Sequence, residues 1–143
     1  IDGCLSTASG AAFASQKPTL CITGDLAFFY DSNALWNKHF PPNLKVIMIN
    51  NEGGGIFRFL DGPEKTGMLE EFFEARHQTS AEHIVKAFGL TYYKAFDERS
   101  LSASLISLFK NDMTPALLEI QSPAEETAKT LRYYFSHLGQ KMA

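Results

Sequence analysis

The sequence predicts an α/β fold, a three-layer α/β/α domain built on a mostly parallel sheet. Short apolar runs suited to strands alternate along the chain with longer segments suited to helices. Each strand-like run is apolar almost throughout, which is typical of parallel strands that helices cover on both faces. Internal repeats, low-complexity tracts and linkers are absent from the sequence. Residues 1–143 are therefore expected to form a single domain.

The first half of the chain predicts two helices and two strands. Residues 4–15 are rich in Ala, Ser and Gly, which suits a helix packed closely against a sheet, and a Lys-Pro pair interrupts the pattern after them. Residues 19–23 are a short apolar and β-branched run, as expected of a buried strand. Residues 28–38 have a helical mixture of apolar and polar positions that ends before two prolines. Residues 45–49 are the clearest strand, because four of the five are strongly apolar.

The second half of the chain continues the alternation of helices and strands. After a run of glycines, residues 56–67 follow no regular pattern. Ser80 is suited to cap a helix and Gly89 to end it. The predicted helices cover residues 68–75, 80–88, 100–110 and 125–138, and the predicted strands cover residues 91–95 and 115–121.

Composition and charge argue against several classes of protein. Hydrophobic residues make up 45% of the chain and charged residues 20%, which is ordinary for a globular protein. The net charge of −3 gives no reason to expect a nucleic acid or an anionic membrane as a partner. The chain has no apolar run near the roughly 18 residues of a membrane span. Cys4 and Cys21 are interpreted as buried free thiols, which favours a cytoplasmic location.

The start of the chain has the features of an internal segment. Ile1, Asp2 and Gly3 resemble the interior of a loop, and the chain does not begin with an initiating methionine. The basic start of a secretory signal is also missing. The chain is therefore expected to be a C-terminal fragment of a longer protein.

Polar residues and glycines follow the first two predicted strands. Gly24-Asp25 follows the first strand, and the run Asn-Asn-Glu-Gly-Gly-Gly at residues 50–55 follows the second. Asp25 and Asn51 are 51 − 25 = 26 residues apart, which is about one helix plus one strand. In parallel α/β sheets, ligands bind at the carboxyl ends of the strands. The spacing therefore predicts that both segments lie at the same edge of the sheet.

These two segments offer oxygen ligands. Asp25 supplies a carboxylate, Asn51 an amide oxygen and the glycine loop its backbone carbonyls. Mg²⁺ binds such oxygens and usually shares them with phosphate groups. A helix that starts after Asp25 would also offer N–H groups to an anion. Either turn alone is usually structural, but the two together at this spacing predict a site for a metal-bridged diphosphate.

The sequence lacks the motifs of several other classes of enzyme. The patterns GxSxG, GxxxxGKS/T and GxGxxG do not occur, which argues against hydrolase, P-loop and Rossmann sites. The four histidines lack the spacing of zinc ligands. His77 is interpreted as a surface residue. The glutamates of the same region are interpreted as solvated surface as well, and they are Glu52, Glu70, Glu71 and Glu74.

The arrangement of these residues resembles a known family. Gly24-Asp25 together with Asn50-Asn51 is similar to the Gly-Asp-Gly…Asn-Asn motif of thiamine-diphosphate-dependent enzymes, although Leu26 replaces the second glycine. The resemblance is closest over residues 1–57, to a group of this family that acts in menaquinone biosynthesis. It implies that residues 1–143 are the diphosphate-binding (PP) domain of such an enzyme.

The resemblance implies roles for individual residues. Asp25, the Asn51 side chain and the Gly53 carbonyl would coordinate Mg²⁺ or Mn²⁺. Ile56 and Phe57 would lie beside the thiazolium, where the substrates react, and would be the catalytic residues of this chain. The residues that would contact thiamine diphosphate are Ile1, Gly24, Asp25, Leu26, Ala27, Asn51, Gly53, Gly54 and Ile56.

The resemblance also implies an activity and partners. Members of the group are transferases that decarboxylate 2-oxoglutarate and add the succinyl carbanion to isochorismate. They need a pyrimidine-binding domain, upstream in the same protein, and a second subunit, so this chain is expected to be inactive alone. One alternative is an acetolactate-synthase-like enzyme or 2-oxoacid decarboxylase, against which Leu26 and residues 53–57 argue. Another is a non-catalytic α/β module that binds a phosphate-bearing ligand.

Overall fold

The computed structural model describes residues 2–58, 62 and 67–141, which form two compact units. The first unit comprises the described residues up to Asn50 together with Ser80–Gln121. The second comprises those of Asn51–Thr79 and the residues from Ser122 onwards. Ile1, which the resemblance places near the cofactor, lies outside the described residues. Within the described ranges, no helix combines the length and the apolar character needed to cross a membrane.

The first unit is built on a parallel sheet. Its strands are β1 Thr19–Gly24, β2 Leu44–Asn50, β3 Thr91–Ala95 and β4 Ala116–Gln121. They lie in the order β1-β2-β4-β3, and each described pair of neighbours is parallel. The predicted strands agree with these bounds to within one residue at each end, because continuous apolar runs mark strands that are buried on both faces.

Helices cover both faces of this sheet. They are α1 Cys4–Ser15, α2 Asp25–Tyr30, α3 Glu82–Ala87 and α4 Glu98–Leu108. The first three pack on one face, where Phe28 of α2 and Val85 of α3 belong to the same apolar cluster as Val46 of β2. α4 packs on the other face, where Leu108 belongs to the same apolar cluster as Ile47 of β2. The predicted three-layer α/β/α fold is confirmed.

The predicted helix over residues 28–38 is wrong, because the chain forms two shorter helices there. α2 begins at Asp25, and a separate 3₁₀ helix, Ser32–Trp36, follows it. Asp31 lies between them, and its carboxylate accepts hydrogen bonds from the Ser6 N–H at 2.7 Å and the Ser6 hydroxyl at 2.6 Å. This buried contact with α1 outweighs the local helical pattern.

Glu119 on β4 is a fully buried carboxylate, with an exposed fraction of 0%. Its Oε1 accepts a hydrogen bond from Asn50 Nδ2 of β2 at 2.8 Å. Its Oε2 accepts from Ser80 Oγ at 2.9 Å, the Ala81 N–H at 3.0 Å and the Tyr92 hydroxyl at 2.8 Å. Burial raises the pKa of Tyr92, and Glu119 acts in the same direction, so this hydroxyl stays a donor. One carboxylate therefore joins β2, β3, β4 and the residues before α3.

The expectation that both cysteines are buried free thiols is confirmed for Cys21 and wrong for Cys4. Both are free, but Cys4 is exposed. The buried face of α1 repeats every three or four residues from Leu5, and Cys4 lies outside that face. Burial raises the pKa of the Cys21 thiol, and the neighbouring Cys4 and Asp31 add to this shift.

The described part of the second unit contains one long helix and two short ones. The long helix is α5, Ala124–Lys141, which confirms the predicted closing helix. Gly55–Arg58 forms a 3₁₀ helix. A π-helix, Leu69–Phe73, replaces the short helix predicted over residues 68–75. Arg132 of α5 donates from Nη2 to the Arg58 carbonyl, which joins α5 to the 3₁₀ helix.

Replacement of Glu119 with Gln is expected to destabilise the chain by about 2 kcal/mol, because an amide group cannot accept every hydrogen bond that the carboxylate accepts. Urea unfolding of the Glu119→Gln variant and the unsubstituted chain measures the difference. Glu98→Gln, on the exposed side of α4, is the control and should change stability by less than about 0.5 kcal/mol. Equal stabilities of the two variants would contradict the role of Glu119.

A thiol reagent at neutral pH is expected to modify Cys4 quickly and Cys21 slowly, because the thiolate reacts and burial raises the pKa of Cys21. Because folding raises the pKa of Cys21, the folded state favours the protonated thiol. The stabilising effect of this thiol is therefore fully present at pH values below the pKa of the thiol in the unfolded chain. It is lost as the pH rises above that value. The Cys4→Ser variant, in which only Cys21 can react, should react slowly when native and quickly in denaturant. Fast reaction of the native variant would contradict the burial of Cys21.

Candidate functional site

The predicted site residues lie in both units, and those of the first unit follow the sheet. Gly24 is the last residue of β1, and Asp25 is the first residue of α2. The strand register pairs Gly24 with Ile49, the residue before Asn50. The expectation of a shared sheet edge is therefore confirmed for the ends of β1 and β2.

Asp25 is a buried carboxylate, with an exposed fraction of 2%. Its Oδ1 accepts a hydrogen bond from the Leu26 N–H at 2.7 Å. The resemblance assigns this N–H, together with that of Ala27, to a phosphate group. In this structure Asp25 accepts the hydrogen bond from that N–H. A buried carboxylate needs compensating partners, and the Leu26 N–H is one of them.

The two consecutive asparagines after the apolar part of β2 have different roles. Asn50 is buried and donates to Glu119, so it belongs to the sheet. Asn51 begins the loop of the second unit, and its Oδ1 is buried. Among the described residues, none donates a hydrogen bond to this oxygen. A buried carbonyl oxygen without a donor is costly, and a bound cation would compensate it.

Three consecutive glycines shape the loop after Asn51. A Cβ atom at Gly55 would lie 2.3 Å from Asn51 Nδ2, so the amide occupies the space that a side chain would take. Gly53 has a φ of +147°, and a Cβ there would lie 2.4 Å from the Glu74 carbonyl oxygen. Gly54 donates its N–H to the same carbonyl at 2.7 Å. Residue 53 therefore needs glycine for this loop to form, and a side chain at residue 55 would have to displace the Asn51 amide.

The predicted catalytic residues follow in the 3₁₀ helix Gly55–Arg58. Ile56 has an exposed fraction of 52%. Phe57 contacts Phe73, with the ring centroids 5.7 Å apart. An exposed isoleucine beside a polar loop provides apolar surface that a ligand can cover favourably.

The interpretation of Glu74 as solvated surface is wrong. Its side chain is 2% exposed and forms ion pairs with Arg58 and Arg76. Glu70 contacts the same two arginines and is exposed, as predicted. His77 is partly buried rather than a surface residue, and its N–H donates to the carbonyl of the residue before the glycines at 3.2 Å. Sequence patterns miss the burial of Glu74 because its partner Arg58 is 16 residues away.

The predicted metal ligands are of the kinds that suit a hard cation. Across residues 2–58, 62 and 67–141, no group of three or more His, Cys, Asp or Glu side chains is arranged to hold a metal. The predicted set instead combines a carboxylate, an amide oxygen and a backbone carbonyl, which are donors that Mg²⁺ accepts. The buried Asn51 Oδ1, whose amide group packs against Gly55, fits such an ion.

The chain matches, over residues 3–120, the family described as thiamine pyrophosphate enzyme, C-terminal TPP binding domain. The matched range includes Asp25, Asn51 and the glycine loop. Thiamine pyrophosphate and thiamine diphosphate are the same compound. The chain therefore belongs to this family, and the resemblance to thiamine-diphosphate-dependent enzymes is confirmed.

Within this family, the chain is similar to synthases that share one name. The chain is 46% identical over 138 residues to the 2-succinyl-5-enolpyruvyl-6-hydroxy-3-cyclohexene-1-carboxylate synthase of Flavobacterium johnsoniae. It is 44% identical over 138 residues to the synthase of the same name from Flavobacterium psychrophilum. Each alignment covers 96% of this chain and 25% of the relative. The chain thus spans a quarter of the length of these relatives.

A solved structure supports the fold. Benzoylformate decarboxylase from Polynucleobacter necessarius is similar to this chain with a TM-score of 0.65 at 14% sequence identity. The similarity covers 85% of this chain and 23% of the decarboxylase. At this low identity, the likeness shows a shared fold alone.

Gly55→Ala is expected to displace the Asn51 amide and to destabilise the chain by about 1–3 kcal/mol, because the added Cβ overlaps the amide nitrogen. Gly10→Ala in α1 is the matched control, since a Cβ there meets no described atom within 4 Å. That variant should gain up to about 1 kcal/mol, because alanine favours a helix interior over glycine. Thermal unfolding compares the two, and equal stabilities would show that space at residue 55 is not limiting.

Proposed function

We propose that this chain is the cofactor-binding part of a synthase that decarboxylates 2-oxoglutarate and adds the succinyl unit to isochorismate in menaquinone biosynthesis. The observation that carries the proposal is the buried Asn51 Oδ1, which lacks a donor among the described residues and lies beside a glycine loop. The 46% identity to the synthase of Flavobacterium johnsoniae supports this choice of reaction within the thiamine pyrophosphate family.

Asp25, the Asn51 amide oxygen and the Gly53 carbonyl would hold Mg²⁺ or Mn²⁺, with diphosphate oxygens completing the coordination shell. The burial of Asp25 and of Asn51 Oδ1 supports this assignment. The resemblance assigns the N–H groups of Leu26 and Ala27 to the phosphates, and the Leu26 N–H donates to Asp25 Oδ1 in this structure. The other residues that would surround the diphosphate are Gly24, Ala27 and Gly54.

When bound, thiamine diphosphate supplies the carbanion chemistry for loss of CO₂ and formation of the carbon–carbon bond. The residues of this chain would position the reacting groups and set the polarity of their surroundings. Ile56 is exposed, and Phe57 is held against Phe73. These side chains would form an apolar wall beside the reacting carbon. Such a wall excludes water and disfavours a charged carboxylate relative to a neutral product.

Other catalytic groups would come from outside this chain, which spans a quarter of the length of its relatives. An upstream pyrimidine-binding domain and a second subunit would supply the glutamate that activates the cofactor and the cations that bind substrate carboxylates. The free thiols Cys4 and Cys21 support a reducing, cytoplasmic location.

Asp25→Ala and Asn51→Ala in the full-length protein are each expected to weaken Mg²⁺-dependent binding of thiamine diphosphate by about 10-fold to 100-fold, because each removes a metal ligand. Calorimetric titration with and without Mg²⁺ measures the effect. Asp112→Ala, at an exposed position between α4 and β4, is the control and should bind normally. Undiminished binding by both site variants would favour a metal-free phosphate-binding module instead.

The reaction itself is tested by following CO₂ release by the full-length protein with thiamine diphosphate and Mg²⁺. Release from 2-oxoglutarate should rise when isochorismate is added, because the acceptor completes each turnover. Consumption of pyruvate in place of 2-oxoglutarate would keep the cofactor and reject the proposed substrates. It would favour an acetolactate-synthase-like enzyme or a 2-oxoacid decarboxylase.

A further inference from the structure

We propose that Glu74 and Arg58 act together as a positioning pair for the turn at residues 56–57, and that this pair favours addition to the acceptor over simple loss of CO₂. The proposal rests on the proposed function, because it assigns the pair to the carbon–carbon bond-forming step. The pair does not touch the reacting atoms; it acts through Ile56 and Phe57.

Glu74 holds the beginning of this turn through its backbone. Its carbonyl oxygen accepts the Gly54 N–H at 2.7 Å. The same oxygen would lie 2.4 Å from a Cβ at Gly53, so the two backbones approach as closely as glycine permits. This contact fixes where the turn starts.

Glu74 holds the end of the turn through its side chain. Its Oε1 lies 2.5 Å from Arg58 Nε, in an ion pair that lacks the alignment of a hydrogen bond. Its Oε2 accepts a hydrogen bond from Arg58 Nη2 at 2.7 Å. The exposed fractions are 2% for the Glu74 side chain and 12% for that of Arg58, so solvent screens the pair little. The guanidinium group thus contacts both carboxylate oxygens, one through a hydrogen bond and the other as an ion pair, which restricts its orientation.

The proposed catalytic residues lie between these two anchors. Phe57 is restrained further by Phe73, the residue before Glu74 in the chain. Ile56 is exposed, so its position depends on the backbone of the turn rather than on packing of its own side chain. One glutamate therefore determines where the apolar wall lies.

A purely structural role would not require charge at this position. Apolar side chains of similar volume often stabilise a protein as well as a buried ion pair does. A buried pair with two contacts instead provides a defined orientation, which a turn carrying reactive-site residues needs. The expected consequence is a selective effect on ligation.

The test uses the full-length synthase with the substitutions Glu74→Gln, Arg58→Gln and both together. Three quantities are measured: affinity for thiamine diphosphate with Mg²⁺, CO₂ release from 2-oxoglutarate, and formation of the product with isochorismate. We expect product formation to fall by about ten-fold or more while the other two change by less than about two-fold, because misplacement affects the oriented step most. The double variant should lose less than the sum of the two single variants, since both single substitutions break the shared contact between Arg58 and Glu74. Glu82→Gln, which breaks the exposed pair with Lys86, is the control.

Unchanged product formation, or an equal loss in all three quantities, would overturn the pair as a positioning device. If the Gln variants do not fold, Arg58→Lys keeps a cation beside Glu74 but removes the bidentate fork. A selective loss of ligation in that variant supports the proposal, and normal ligation overturns it. An unsubstituted protein that releases no CO₂ from 2-oxoglutarate overturns the proposed function itself; an active parent with fully active variants overturns only the pair.

Discussion

The burial of the Glu119 carboxylate is the constraint on which the architecture of the first unit depends. A charged group inside a parallel sheet is tolerated only if hydrogen-bond donors surround it. Its donors come from β2, β3 and the residues before α3, and the strand order places β2 and β3 on either side of β4. Hydrophobic burial drives the sheet to form, but the need to satisfy Glu119 selects one register and one placement of α3.

A second buried carboxylate organises the second unit differently. Neutral donors surround Glu119, whereas guanidinium groups compensate Glu74. Neutral donors on strands and at the start of a helix fix the frame of a domain. A long cationic side chain can instead hold a short irregular segment that has few apolar contacts of its own. The frame of the first unit and the turn at residues 56–57 thus depend on separate buried carboxylates.

The strands could be predicted from the sequence because each is an apolar run. The shared edge of the β1 and β2 ends could be predicted because the two segments of polar residues have the spacing of neighbouring parallel strands. The break between α2 and the following 3₁₀ helix could not, since it depends on Asp31 bonding to Ser6, 25 residues away. The burial of Glu74 depends in the same way on a distant partner. The different roles of Asn50 and Asn51 could be assigned only from their side-chain contacts, because the two residues are identical and adjacent in the sequence.

The hydrogen bonds of Glu119 also affect how the loop that carries Asn51 and the glycines can evolve. Asn50 is the last residue before residues 51–79, and Ser80 is the first after them; both donate to this one carboxylate. The two ends of a segment of 79 − 51 + 1 = 29 residues are therefore fastened at a single point of the sheet. The entropy cost of closing a loop rises only slowly with its length. Insertions and deletions within this segment can therefore accumulate without unfolding the sheet.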